Sequence, residues 1–319
     1  MGPERNTLRV VVIGGTGHIG SYLTPRLFDA GYTVLCVSRG VQTPYRDHAA
    51  WSKVQYVHLD RTAEEVSANF GERIVSLDAD AIIDLTCYKP ESAVQLVRSL
   101  QGRIQHFLHC GTIWVHGHSM EVPTTEDAPR APFGDYGIRK EAIENYLLEQ
   151  ARLGFPATIL HPGHLVGPGW NPINPQGNFN PEAFELLASG RELTVPNLGM
   201  ETVHHVHADD VAQAFVRALE RREMCVAHAF HIASHRALTL RGYAQKIAAY
   251  LGQPAAALSF LPFEQWKAAV SERDARVTFD HIAHSPNCSI DKARRLLEFN
   301  PRYSSLEAIQ ESIEGMRRL

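Results

Sequence analysis

The sequence predicts an α/β fold: a doubly wound parallel sheet with a smaller C-terminal α/β part. Three observations carry this. Short β-branched runs alternate with amphipathic segments up to residue 160, the first run empties into a glycine turn, and the texture changes after Pro162. Strands that alternate with helices need crossover connections, which lay the strands parallel and cover the sheet on both faces.

In order, strands are expected near residues 9–13, 33–37, 54–58, 80–85, 104–109 and 157–160, where Val, Ile, Leu and Tyr cluster. Helices are expected near 18–30, 62–70, 91–100 and 136–153, where apolar residues recur at helical spacing. The segment from Gly163 to Gly177 is crowded with glycine, proline and asparagine, and predicts a long ordered loop. Beyond it follow a helix near 181–189, a strand near 202–206, a helix near 208–221 and a strand near 228–232. Helices near 239–251, 262–271, 289–297 and 304–317 complete the chain. The expected division is a nucleotide part of residues 1–166, to which 201–233 return, and a substrate part of 167–200 and 234–319.

The first strand, Val10-Val11-Val12-Ile13, runs into Gly14-Gly15-Thr16-Gly17-His18-Ile19-Gly20, and Tyr22, Leu23, Leu27 and Phe28 then take up helical spacing. Glycines at such a strand-to-helix turn suit a dinucleotide pyrophosphate in a Rossmann-type sheet. Gly14 permits the tight turn, Gly17 admits the phosphates to the backbone, and Gly20 allows close packing. The N–H groups near His18 and Ile19 face the anion. The spacing, Gly-x-x-Gly-x-x-Gly, has one residue more between the first two glycines than the commonest fingerprint. After the second strand, Ser38-Arg39 stands where a carboxylate would clamp a ribose diol, so the turn favours NADP over NAD. Asp60 closes the third strand and is placed for the adenine amino group; Leu85, ending the fourth, joins the cofactor-binding set.

Tyr136 and Lys140 lie four apart at the start of a helix and share one face. A nearby ammonium and a cationic nicotinamide both favour the phenolate, which turns the tyrosine into a proton acceptor. Thr112, just after the fifth strand, is placed to offer its hydroxyl to the same substrate oxygen.

These residues resemble the extended short-chain dehydrogenase/reductases, in particular the NAD-dependent epimerase/dehydratase group of sugar-active enzymes. The likeness runs through the glycine turn, Thr112 and Val115-His116-Gly117, the Tyr136/Lys140 pair, His161-Pro162-Gly163-His164-Leu165-Val166-Gly167-Pro168-Gly169, and His205-Val206-His207-Ala208-Asp209-Asp210-Val211-Ala212. It implies Thr112 as hydroxyl donor, Tyr136 as base, and Lys140 on the nicotinamide ribose, lowering the tyrosine pKa. Pro162 and Gly163 would pack near the nicotinamide, and Asn178 resembles an asparagine that contacts substrate.

The departures bear on substrate. His116 stands where the family has tyrosine and His161 where it often has arginine. Thr202-Val203 occupies the place of an arginine on the substrate diphosphate, and no second arginine aligns clearly. A buried diphosphate needs cationic partners, so a free sugar or other hydroxy compound weighs as much as a nucleotide sugar. His116 and His164, on loops rimming the cleft, are the remaining substrate candidates. Ile113 supplies no acid or base for a dehydratase, which leaves epimerase and net reductase ahead. The rival reading is a dinucleotide-sensing or RNA-associated relative without turnover, against which the intact Tyr136/Lys140 pair argues.

A formal net charge of −4, with no basic block, argues against nucleic-acid or anionic-membrane partners, and no apolar run is long enough to span a bilayer. Five scattered cysteines suit free thiols and a cytoplasmic protein. Seventeen histidines raise a metal site, but no carboxylate at matched spacing completes one, so none is expected. The helices near 91–100 and 136–153 could pair two copies as a homodimer.

Overall fold

The computed structural model describes residues 7–253 and 255–317. The first six, residue 254 and the last two residues of the expected division lie outside the described residues. Seven parallel strands form the central sheet: β1 (Arg9–Ile13), β2 (Thr33–Ser38), β3 (Gln55–His58), β4 (Ala81–Asp84), β5 (His106–Cys110), β6 (Ala157–Pro162) and β7 (Ala229–Ile232). Their spatial order is β7-β6-β5-β4-β1-β2-β3, so the chain reverses direction across the sheet between β1 and β4. That crevice, at the carboxyl edge, is where such sheets bind ligands.

Period two along β1 builds both cores. Val10 and Val12 face α1 (Gly20–Asp29) and the helix Ala208–Glu220, packing with Leu23, Leu27, Val211 and Phe215. Val11 and Ile13 face the opposite layer, α2 (Pro90–Leu100) and α3 (Gly134–Arg152), through Leu96, Val97, Ile143 and Leu147. A third core gathers Val166, Phe184, Val195, Tyr243, Ile247 and Ile309 beyond the sheet's edge.

Four expectations are corrected, and two features were not expected. The stretch after Pro162 is not all loop, since His164–Val166 pairs with His205–His207. The strand near 202–206 divides at His204: Thr202–Val203 pairs instead with Leu238–Thr239. The helix near 62–70 is two, Arg61–Val66 and Phe70–Val75, and the helix near 262–271 shrinks to Phe263–Trp266 with a short 3-10 turn. Strands Leu193–Pro196 and Leu258–Leu261 pair with each other without having been expected. Also unexpected is the helix α4 (Glu272–His284), capped where the Ser271 hydroxyl accepts the Asp274 N–H. Its buried stripe is Thr278, His281 and His284, polar residues that carry no apolar period.

Among the described residues no helix is long and apolar enough to cross a membrane. All five cysteines are buried, unpaired thiols.

Candidate active site

The glycine turn has the geometry its residues imply. Gly14 adopts φ +88° and its N–H donates to the Val37 carbonyl (2.8 Å). A Cβ at Gly20 would lie 2.5 Å from the Gly14 oxygen and the Gly15 backbone, so only glycine lets α1 start this close to the turn. A Cβ at Gly17 would meet only the Gly14 oxygen, and the residue lines the open cleft. Among the described residues no backbone carbonyl takes the N–H of His18 or Ile19. These free donors at a helix start fit a pyrophosphate. The His18 ring turns the other way and stacks on Trp170 (4.8 Å between centroids), with Tyr45 edge-on at 5.3 Å.

The cleft continues in two directions. On one side Ser38, Arg39, Gln42, Asp60 and Arg61 line a cavity joined to the glycine turn, where an adenosine would lie. Asp60 caps the following helix through Oδ1 alone, accepting the N–H groups of Thr62 (2.9 Å) and Ala63 (3.3 Å), and Arg61 is bound by Asp84 (2.8 Å) and Glu65 (2.6 Å). Arg39 is exposed and, among the described residues, pairs with no carboxylate.

On the other side, a cavity of about 390 Å³ brings together Leu85, Thr112, Tyr136, Lys140, Pro162, Gly163 and His164 with the glycine turn. Thr112 Oγ1 accepts the Trp114 N–H (3.3 Å), and its hydroxyl is also within hydrogen-bond reach of the Tyr136 phenol. Lys140 is buried beneath the cleft floor, and its Nζ donates to the carbonyls of Cys87 (2.8 Å) and Cys110 (2.7 Å). One N–H remains for a ligand. Burial pulls this ammonium below its ordinary value.

The Tyr136 phenol departs from expectation. Its surface is 44% exposed, facing the cleft, yet the protein packed around the ring pushes its pKa up, with Cys110 and Tyr88 adding to the rise. Only the Thr112 hydroxyl acts in the opposite direction. The expected lowering by Lys140 is absent: Nζ is held on two carbonyls, 6.0 Å from the ring centroid, and burial outweighs what it contributes.

The far end of the cavity is backed by a cluster of aromatic and imidazole rings. Trp114 stacks on His284 (4.1 Å), His284 on Phe133 (4.0 Å) and Phe133 on His118 (4.5 Å). This four-ring stack ties the turn after Thr112 to α4 and to the residue preceding α3. His281, Phe179 and Ile173 complete the wall. Burial lowers His281 and His284 to about 4 and holds His164 well below the ordinary 6.5, neighbouring rings adding to the effect at His164 and His284, so these rings are uncharged at neutral pH. Among the described residues Lys140 is the only formally charged one lining this cavity.

Two expected substrate contacts are elsewhere. His116 is buried behind the cleft, its Nε2 2.8 Å from His231 Nε2. Asn178 is buried and its amide is turned to protein: Oδ1 accepts from Asn174 (2.6 Å) and the Asn180 N–H (2.9 Å), while one Nδ2 proton is donated to Thr278 (3.0 Å). It fastens the 174–180 loop to α4. Arg191 and Arg276 are exposed and do not line the cavity. Among the described residues no three His, Cys, Asp or Glu side chains gather as a metal site.

Comparison with known proteins agrees with this geometry. Residues 10–233 match the NAD dependent epimerase/dehydratase family. The chain is 27% identical over 255 residues to a 2'-dehydrokanamycin reductase of Streptomyces kanamyceticus, covering 79% of this chain and 69% of that one. It is 23% identical to the chloroplast stem-loop binding protein of 41 kDa b of Arabidopsis thaliana, covering 95% and 78%. Its fold matches the UDP-glucose 4-epimerase of Thermotoga maritima, solved with UDP-glucose, at a TM-score of 0.73, 21% identity and 98% and 99% coverage. With the parallel sheet, the glycine turn and the family match over most of its length, the chain belongs to the NAD-dependent epimerase/dehydratase family of extended short-chain dehydrogenase/reductase enzymes.

Proposed function

We propose that this enzyme interconverts a secondary alcohol and a ketone on a neutral, sugar-like substrate, with Tyr136 exchanging the proton, Thr112 holding the oxygen and Lys140 anchoring the nicotinamide ribose. The observation that carries the reading is the convergence of these three side chains at the inner end of the cleft that begins at the glycine turn. When bound, the nicotinamide supplies the hydride acceptor or donor and, oxidised, a positive charge beside the phenol.

The raised pKa of Tyr136 keeps the phenol protonated at rest, ready to donate to a ketone oxygen. In the alcohol-oxidising direction the same oxygen accepts the proton, and this needs positive charge nearby. Thr112 donates to the substrate oxygen throughout, since its own oxygen is already engaged by Trp114. Exposed Arg39 and the absence of a ribose-clamping carboxylate at Ser38 support NADP over NAD.

Substrate class follows from charge. A diphosphate in this cleft would find no arginine, and an amino sugar would find no carboxylate. Rings such as Trp114 and Phe179 suit the apolar face of a neutral sugar. Ile113, buried and apolar, gives elimination no acid or base. The similarity to a reductase supports net reduction over epimerisation.

The test is to incubate the purified protein with NADPH and a panel of neutral keto sugars, following cofactor absorbance and product together. Steady NADPH consumption marks a reductase; product without net cofactor change marks an epimerase. Tyr136→Phe should retain dinucleotide binding and lose turnover, and wild-type turnover in that variant refutes the assignment.

A further inference from the structure

Thr112 and Tyr136 must reach one substrate oxygen from two different elements, the end of β5 and the start of α3. A buried bridge joins those elements. The Thr112 N–H donates to His161 Nδ1 (2.9 Å), on β6. Because Nδ1 accepts, a neutral His161 ring carries its proton on Nε2, and this atom lies 3.2 Å from Glu144 Oε1. Glu144 sits on α3 one turn after Lys140 and two turns after Tyr136, so one helix face presents the phenol, the ammonium and the carboxylate.

The bridge is held from both sides. Arg130 clamps Glu144 through Nη2 (2.7 Å) and Nε (3.3 Å), and its Nη1 is anchored on the carbonyls of Glu126 and Ala128. Burial alone would push Glu144 up, but His161 and Arg130 outweigh it and keep the carboxylate ionised. Gly111 makes room for the imidazole: a Cβ there would lie 2.3 Å from His161 Nδ1. His161 has no exposed surface and touches neither substrate nor cofactor space.

We propose that His161, oriented by Glu144, is a positioning residue that fixes the Thr112 hydroxyl relative to Tyr136. The inference rests on the catalytic reading above and adds the part that holds its two proton-handling groups in register. A displacement of about 1 Å between reacting groups costs up to about a hundredfold in rate, so the bridge acts on turnover and leaves dinucleotide binding alone.

His161→Leu and His161→Asn separate the acceptor from mere packing, since Asn Oδ1 can take the place of Nδ1 whereas Leu cannot. Two readouts are used: hydrogen exchange of the Thr112 amide in the NADPH-loaded full chain, and kcat, KM and NADPH affinity with a neutral keto sugar as probe. His161→Leu should speed Thr112 exchange at least tenfold and lower kcat tenfold or more, with NADPH affinity within twofold. His161→Asn should restore slow exchange and most of kcat, and Glu144→Gln should fall between. Equal exchange in all variants, equal loss of kcat in Leu and Asn variants, or loss of NADPH affinity in step with kcat overturns the proposal. Tyr136→Phe in the same assay separates the two ideas: if it turns over normally, the catalytic reading fails. If it is inactive while His161→Leu matches wild type in both readouts, only the bridge fails.

Discussion

Lowering the pH from 7 to 5 should destabilise this fold steeply, because so many imidazoles are buried without a carboxylate. Burial is the leading cause that pulls His116, His204, His281 and His284 down to about 4, and His18, His106 and His205 down to about 3, from 6.5. A folded-state value below the unfolded one means that, as pH falls, the unfolded chain takes up protons first. Stability is therefore level above about pH 7 and declines from there towards about pH 4. For one ring shifted from 6.5 to about 4, the loss between pH 7 and pH 5 is about 2 kcal/mol. Two or three rings at full value remove much of an ordinary stability of about 5–15 kcal/mol. Urea unfolding at constant ionic strength should show midpoints falling from pH 7 to 5, most steeply below pH 6, with the slope m unchanged. His106→Gln, whose amide can still meet the Thr158 hydroxyl as Nε2 does at 2.9 Å, should flatten the curve by about one proton. Identical midpoints at pH 7 and 5 would refute the claim that these rings stay neutral in the fold.

Three further outcomes are expected. Arg39→Ala should weaken NADP at least tenfold more than NAD in fluorescence titrations, since the lost charge-assisted contact is to the 2′-phosphate; equal losses would reduce Arg39 to shaping its turn. UDP, GDP and dTDP should bind the cofactor-loaded enzyme at roughly −5 kcal/mol or weaker by calorimetry, and low-micromolar binding of any of them would reinstate a nucleotide-sugar substrate. Gly20→Ala should cost about 1–3 kcal/mol in urea unfolding and abolish dinucleotide binding, because its Cβ would meet backbone that cannot step aside; a variant as stable as wild type would show the turn to be looser than drawn.

The nucleotide-binding half was legible because its signals are local. A β-branched strand, three glycines and an amphipathic helix sit within twenty residues, and the Tyr136/Lys140 spacing is a property of one helix turn. Thr112 could be placed because the carboxyl edge of a parallel sheet gathers strand ends whatever the loops do. Asn178 misled for the same reason in reverse: its neighbourhood looks like a substrate loop, but whether an amide faces ligand or protein depends on Thr278, a hundred residues away.

The part of the cavity wall that α4 supplies escaped because this helix hides its period. α4 buries Thr278, His281 and His284 where an ordinary amphipathic helix buries Leu or Ile, so a hydropathy reading finds a polar segment and no helix. These residues nonetheless behave as core. The Nδ1–H groups of His281 and His284 donate back to the carbonyls of Val277 (2.7 Å) and Asp280 (2.6 Å), which satisfies a ring nitrogen within the helix; His284 then offers flat, neutral faces to Trp114 and Phe133, and His281 meets Trp114 edge-on. Histidine used this way is an aromatic that stacks like phenylalanine. Each of these neutral rings is buried at the expense of its charged form, and that is what makes the fold sensitive to acid.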